Sequence, residues 1–479
     1  MKKYIAAFLL TILLINCAPS FCISDTTDTK QVVSSTDDAK KQKKKKNKKK
    51  KEQEDYKIEY INLDWWSKFN DPILSDYILK TANANYDIKI NELKVLEGKE
   101  AIKESFGGEL PSISFDATAN REKFSGSIPY AGMFFPSYYA TNMRFPLTVN
   151  YELDIWGKNR SNTKKVEKDY EALKYDEKSA FISLTTLSAS TYFNILSLDK
   201  QIEYQNELTA LRKEILDLTK INYDYGLASS TDVTIADKSY TEALSDIETL
   251  KNSRAKLLNQ LSVLIGESSE NSSELQRGTI DSIEMLKDLP QSISSEIIEK
   301  RPDILKAEAQ LQAAALDVKI ARKNLLPSIN LTGFLGFNTY AFSPLFNWES
   351  FIMSLGGGLT QPIFSGGKLL ARLRGKKYKY EQMFNTYQKT ILTSMQEIND
   401  SLADLKTNMT KNQNDIKRVE CETKHYNDMY YKYEKGAVSY LDTLKYKENL
   451  LSLQKEGVQS KADVIIASLS LYKSVGGQL

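Results

Sequence analysis

Side chains able to do covalent or redox chemistry are few and scattered in this chain. It has one histidine, His425, and three cysteines, Cys17, Cys22 and Cys421, with no metal-ligand or disulfide-framework spacing. It has no glycine-rich phosphate loop and no nucleophile elbow. Gly356-Gly357-Gly358 sits in an alternating segment and reads as a bend or close backbone contact. What recurs is an acid beyond a glycine turn. Tyr223-x-x-Gly226-x-x-Ser229-x-x-Asp232 returns as Tyr433-x-x-Gly436-x-x-Ser439-x-x-Asp442, offset by 210 residues. Glycine suits a left-handed helix cap, and an acid opening the next helix complements its dipole and caps it. The available chemistry is therefore electrostatic, with no constellation for catalysis, a cofactor or a metal site.

Turns of this kind need helices to carry them. The chain has 479 residues and 11 prolines, yet 147–289 and 363–479 contain none. Proline is the strongest helix breaker, so such runs favour long helices. Segments 159–221, 232–264, 294–324, 369–433 and 442–475 are rich in Lys, Glu, Leu and Ala, with apolar residues three and four apart. A helix of about 60 residues is about 90 Å long. One globular core cannot cover such rods, so they are expected to pack as coiled coils. His425 falls within one of them, on a packing or solvent face.

Between the rods lie four segments of period two. Over 144–156, Phe145, Leu147, Val149, Tyr151, Leu153 and Ile155 alternate with a polar series broken only by Pro146. Segment 112–120 sets Ile113, Phe115, Ala117 and Ala119 on one face. Segment 328–340 carries Ile329, Leu331 and Leu335, and the glycine-rich 351–363 carries Phe351, Met353, Leu355 and Leu359. Their length suits tilted transmembrane strands; a single one would equally suit a half-buried antiparallel sheet. The aromatic stretches 130–139 and 340–348 read as outward loops. Leu110-Pro111-Ser112-Ile113 recurs as Leu326-Pro327-Ser328-Ile329, offset by 216 residues. The chain therefore reads as two structural repeats. The first, 56–289, holds strands near 111–121 and 143–155 and a helical hairpin over 157–265. The second, 290–479, holds a helix over 294–325, strands near 327–340 and 350–364, and a hairpin over 366–475.

The N-terminal end is of another kind. Met1-Lys2-Lys3 precedes an apolar run from Tyr4 to Ile15, the h-region of an export signal over 1–16. Leu14-Ile15-Asn16-Cys17 resembles a bacterial lipoprotein signal, in which Cys17 becomes the lipidated first residue. Asn16 stands where that pattern prefers a small residue, and cleavage near Ala18 or Cys22 is the alternative. Residues 17–55 are polar and then Lys-rich, a disordered tether that either touches anionic lipid or stays solvated. Ten lysines fall between Lys40 and Lys51, so the remainder of a chain with formal net charge +3 carries −7. An acidic folded part argues against nucleic-acid binding. No later apolar run is long enough to span a membrane as a helix, which leaves a β-barrel as the spanning form.

Further landmarks occur in order: Trp65-Trp66-Ser67-Lys68-Phe69-Asn70-Asp71-Pro72, Leu289-Pro290, Arg301-Pro302-Asp303-Ile304 with Ala307-Glu308, Ala321-Arg322, Glu397, and Leu471-Tyr472-Lys473 with Gly476-Gly477. Together with Leu326-Pro327-Ser328, this resembles the TolC-like outer membrane factors, in their lipoprotein branch serving tripartite (RND-type) efflux systems. The resemblance implies an α+β membrane protein of the Gram-negative outer membrane. In it, a homotrimer closes a 12-stranded β-barrel from four strands per chain. An α-helical barrel continues into the periplasm, belted by a mixed α/β equatorial domain. It implies a passive duct for drugs or metal ions, partnered by a periplasmic adaptor and an inner-membrane transporter, with outer-membrane lipid around it. Asp442 matches a position where the family places a ring of acids, and Asp232 and Tyr433 are further candidates for that periplasmic gate. Gly226, Ser229, Gly436 and Ser439 mark the hairpin tips where an adaptor would dock. Val438 and Lys445 depart from the family pattern, where a basic residue and a second acid occur. Two alternatives remain: the outlet of a type I protein-secretion system, and a periplasm-spanning coiled-coil lipoprotein without a pore.

Overall fold

The computed structural model describes residues 64–127, 133, 136–284 and 295–477. Cys17 with its signal, the Lys-rich tether and Leu289-Pro290 lie outside the described residues. Helices α1 (Pro72–Ala84) and α2 (Tyr86–Gly107) lead into strands β1 (Ser112–Phe115), β2 (Thr118–Phe124) and β3 (Tyr138–Leu153). A rod of 67 residues, α3 (Lys158–Asp224), turns into α4 (Ser230–Leu264) of 35 residues. After α5 (Ser295–Glu299), the order returns as α6 (Pro302–Lys323), β4 (Ser328–Thr339), β5 (Phe351–Thr360), α7 (Lys368–Glu434) and α8 (Tyr440–Ser474). α7 and α8 repeat the lengths 67 and 35, and α2 and α6 are both 22 residues long. Each rod is about 100 Å long at 1.5 Å per residue. α2 and α4 pack along α3, while α6 and α8 pack along α7 and also against α3.

Local chemistry sets these boundaries. Asp71 caps α1, its Oδ1 accepting from the N–H groups of Ile73 (2.8 Å) and Leu74 (3.2 Å), with Pro72 at the first helical position. The segment expected as one helix over 294–325 is interrupted at Arg301, which is extended (φ −62°, ψ 135°) before Pro302 starts α6. A residue preceding proline is driven out of the α region by clash with the ring.

The sheet is antiparallel, with β1 and β2 both on β3, then β4, then β5. β1 and β2 share one register on β3, Phe115 facing Leu147 and Thr118 facing Arg144. They are a single lane interrupted opposite Pro146, which accepts from the Asp116 N–H (3.1 Å) and has no N–H to return. Pro146 faces Gly336, where an added Cβ would stand 2.2 Å from the Phe145 carbonyl oxygen. Only glycine lets the strands close there. β3 begins at Tyr138, inside the stretch read as loop, and β5 stops at Thr360, short of Ile363.

Register carries the alternation across every lane. Ile113, Val149, Gly333 and Leu355 align in one row, and Phe115, Leu147, Leu335 and Met353 in the next. The alternate rows bring Ser114, Thr148, Asn150, Thr332 and Ser354 to the other face, together with Phe334 and Ile352. Among the described residues, no helix is long and apolar enough to cross a membrane.

The main core lies where the N-terminal segment, α3, α4 and α8 meet. Phe69, Leu74, Ile78, Tyr192, Phe193, Ile195, Leu261, Ile465 and Leu469 are almost wholly buried there, with Trp65 tilted against Tyr472 at 4.8 Å. Elsewhere the rods pack by heptads. Ile398, Leu402, Leu405 and Met409 of α7 meet Val464, Ala467 and Leu471 of α8. Leu208, Leu211, Ile215 and Leu218 of α3 meet Leu444 and Leu451 of α8. Spacings of three and four residues are those of a coiled-coil seam.

Candidate functional site

The two glycine turns have the same backbone. At the first, Gly226 has φ +72°, its N–H bonds the Tyr223 carbonyl (2.9 Å), and the Leu227 N–H bonds the Asn222 carbonyl (2.7 Å). At the second, Gly436 has φ +72°, its N–H bonds the Tyr433 carbonyl (2.8 Å), and the Ala437 N–H bonds the Lys432 carbonyl (2.9 Å). This left-handed cap satisfies carbonyls that the helix end leaves free. Ser229 and Ser439 then cap the returning helices. Ser229 Oγ accepts from the Asp232 N–H (3.2 Å), and Asp232 Oδ2 accepts from the Ser229 N–H (2.8 Å) and hydroxyl (2.7 Å). Ser439 Oγ accepts from the Asp442 N–H (3.1 Å) and donates to Asp442 Oδ2 (2.6 Å). Asp232 thus completes a capping box, whereas Asp442 only holds the hydroxyl of the capping Ser439.

The electrostatics of the two acids differ. The Ser229 backbone N–H, and then its hydroxyl, hold the Asp232 carboxyl below its usual range. For Asp442 the Ser439 hydroxyl has the largest effect, joined by Lys445, whose Nζ lies 3.4 Å from Oδ1. Lys445 also lowers Asp232 through space. Asp232, Leu441 and Lys445 line one cleft of about 490 Å³ between the hairpins. The lysine at the departing position therefore pairs with Asp442, lines the same cleft as Asp232, and offsets both acids.

Tyr433 packs on Tyr440 with ring centroids 5.1 Å apart, and Tyr430 lies 6.1 Å from Tyr433. The Tyr440 hydroxyl donates to Glu214 Oε1 (2.8 Å), and that bond to a carboxylate pushes its pKa up to about 12. Arg212 adds a second tie, with Nε on Glu448 Oε1 (2.7 Å) and Nη1 on the Ser239 carbonyl (3.1 Å). Glu214 with Tyr440 and Arg212 with Glu448 join the first hairpin to α8, and sequence reasoning missed both pairs. Their partners lie 226 and 236 residues apart with no pattern linking them. His425 stands on α7 against Tyr446 at 4.6 Å.

A second constellation gathers the landmarks Arg301, Asp303, Glu397 and Gly476. The Arg301 guanidinium, its side chain 7% exposed, grips Asp303 through Nε on Oδ1 (3.0 Å) and Nη2 on Oδ2 (2.7 Å). Nη2 also reaches Glu397 (2.7 Å), and Nη1 donates to the Ser474 carbonyl. Burial alone would raise the Asp303 pKa; the Arg301 bond and charge outweigh it and hold the carboxyl low. Gly476 (φ +67°) lies where a Cβ would meet Pro302 Cδ at 3.0 Å. The cluster fastens the start of α6 to α7 and to the end of α8. Among the described residues no group of His, Cys, Asp and Glu is placed to hold a metal ion.

Known proteins share this architecture. The Campylobacter jejuni CmeC outer membrane channel superposes with a TM-score of 0.80 at 24% identity, covering 87% of this chain and 88% of that one. The open state of the Neisseria gonorrhoeae MtrE outer membrane channel gives 0.75 at 21% identity, covering 85% and 89%. In sequence, the probable efflux pump outer membrane protein TtgC of Pseudomonas putida is 26% identical over 414 residues, 86% of this chain and 84% of that protein. The pyoverdine export outer membrane protein OpmQ of Pseudomonas aeruginosa is 25% identical over 415 residues, 86% and 87% of the two chains. The family described as outer membrane efflux protein matches residues 80–267 and 293–477, and the chain belongs to that family.

Proposed function

We propose that three copies of this chain close a 12-stranded barrel in the outer membrane and continue it into the periplasm as a helical tunnel. It serves as a passive exit duct for small molecules such as drugs or metal ions, delivered by an inner-membrane transporter through a periplasmic adaptor. The observation that carries this reading is the registered sheet. Over the span from Leu153 to Met143 one face is apolar from lane to lane and the other is mostly polar, with Phe334 and Ile352 among its residues. The edges of the sheet, β1–β2 and β5, have no further partner among the described strands. An unpaired edge is a template for another strand, and three-fold rotation would join β5 of one copy to β1–β2 of the next. The polar face then lines water and the apolar face meets lipid.

The rods support the same assembly. Of the 67 residues of α7, only Ser394, Ile398, Leu405, Asn412 and Asp415 are buried within one chain. Tyr378, Phe384, Leu392 and Met395 remain exposed along it, an apolar stripe suited to a neighbouring copy. At the tip of the first hairpin, Tyr225 and Leu227 are each 79% exposed, a surface on which an adaptor would dock. Asp232, Asp442 and Tyr433 sit at the constriction in this reading, its acidity reduced by Lys445.

Deleting the chain while leaving the transporter and adaptor in place should raise susceptibility to small apolar drugs or metal ions. An unchanged susceptibility panel with lost protein export would favour the type I outlet instead. At the constriction, Asp442→Ala should lower the preference for cations in planar bilayers, and unchanged selectivity would remove Asp442 from the gate.

A further inference from the structure

The apolar face of the sheet carries charge at one place only among the described strand residues. Arg121 and Lys123 of β2 share the parity of Ile113 and Phe115, so they point to the lipid side in the barrel reading on which this inference rests. Lys123 faces Tyr139 in the register, and both cations lie over that ring, Arg121 Cζ at 5.2 Å and Lys123 Nζ at 5.8 Å. Cations stacked on one ring confirm the shared side independently of the register. Glu122 has the opposite parity, with Phe124 and Tyr138 stacked beyond it at 5.0 Å on that same opposite side.

Height decides what the pair meets. On β3 the apolar parity runs from Leu153 to Met143, ten residue steps. At about 3.4 Å per residue and a tilt of about 40°, that span rises roughly 26 Å, close to the apolar band of about 25 Å in outer-membrane barrels. Thr141 and Tyr139, the register partners of Arg121 and Lys123, lie two and four residues further out. That is roughly 5–10 Å beyond the band, at the level of lipid headgroups on the side away from the helices. A cation costs about 2–4 kcal/mol at the midplane of a lipid face and close to nothing at its edge, so this height is where such a pair is tolerated.

We propose that Arg121 and Lys123, braced on Tyr139, form a binding site for the phosphate groups of an outer-leaflet glycolipid. The planar Arg121 fork suits a phosphate bidentately, and Lys123 adds a second charge beside it. The occupant is a phosphorylated lipid rather than free phosphate, because acyl chains below the phosphates would continue onto the Phe115, Leu147 and Leu335 rows.

The test uses the full-length trimer in nanodiscs of zwitterionic lipid, probed with diphosphoryl lipid A, dephosphorylated lipid A and inorganic phosphate. The wild type should retain diphosphoryl lipid A in native mass spectrometry. The Arg121→Gln/Lys123→Gln double variant should retain it about 30-fold less, at about fivefold per surface cation. Arg121→Lys should keep more of the binding than Arg121→Gln but less than the wild type, because a point charge replaces the charge and not the fork. Glu122→Gln on the other face should keep all of it, which separates charge from folding. Equal retention by wild type and double variant, or equal retention of both forms of lipid A, would overturn the proposal. Displacement by millimolar inorganic phosphate would overturn the lipid assignment. Conductance of the same samples separates the two readings: normal channels without selective lipid retention sink this inference alone, whereas absent channels sink the duct.

Discussion

At the residue scale the tightest demand falls on Arg301. Its guanidinium holds Asp303, Glu397 and the Ser474 carbonyl, and it is nearly enclosed. Removing it takes the shared cation from Asp303 and Glu397, which are themselves partly exposed, and the donor from the Ser474 carbonyl; Asp303 keeps the Ile304 N–H and the Ser394 hydroxyl. Arg301→Ala should therefore destabilise the packing of α6 on α7 and α8 by about 2 kcal/mol, read as a lower midpoint of heat-induced loss of helical circular dichroism. Arg301→Lys should recover only part of this, because a point charge cannot replace the fork. The pair also sets an acid limit. Asp303 is held below its ordinary value in the fold, so its contribution is present above the unfolded carboxyl pKa and is lost as pH falls through the lowered one. Wild type should lose stability between about pH 4 and lower values more steeply than Asp303→Asn. The Arg-Pro-Asp-Ile spelling was legible as a landmark. Its partners Glu397 and Ser474 were not assignable from spacing, because they lie 96 and 173 residues away and meet only through packing.

At the element scale two glycine roles differ in kind. Gly226 and Gly436 hold φ +72° in open space, so alanine there meets only backbone strain. Each Gly→Ala change should cost about 1 kcal/mol and loosen the tip without preventing assembly, measured as faster proteolysis at the turn. Gly336→Ala meets the β3 backbone instead, with Cβ 2.2 Å from a carbonyl oxygen. It should abolish the detergent-resistant, heat-dissociable trimer on gels while the helical circular dichroism persists. The period-two segments and Pro-free rods were legible because periodicity is a local property. The break opposite Pro146 was not, since the effect falls on the partner strand and needs the register. The early start of β3 at Tyr138 was hidden by the aromatic composition around it and by Pro136 just before it. At the tip, Tyr440→Phe removes the bond to Glu214 that spans the hairpins. It should raise the open fraction of channels in bilayers, and an unchanged open fraction would make the contact incidental.

At the scale of the whole molecule, two half-chains with 22-, 67- and 35-residue helices around a four-lane sheet place a half-wetted sheet beside half-covered rods. Neither surface is satisfied within one chain, and the proposed closure by copies of itself would satisfy both. Here the sequence was most informative through its large-scale repeat and least through the tip. There Lys445, paired with Asp442 and acting on Asp232 through space, alters the electrostatics that matching turns suggested. The most direct measurement is the current through the purified, reconstituted chain in a planar bilayer. Discrete single-channel steps from a detergent-resistant, heat-dissociable trimer are expected, with cation selectivity that Asp442→Ala reduces. A folded, helical protein that stays monomeric and passes no current would contradict it.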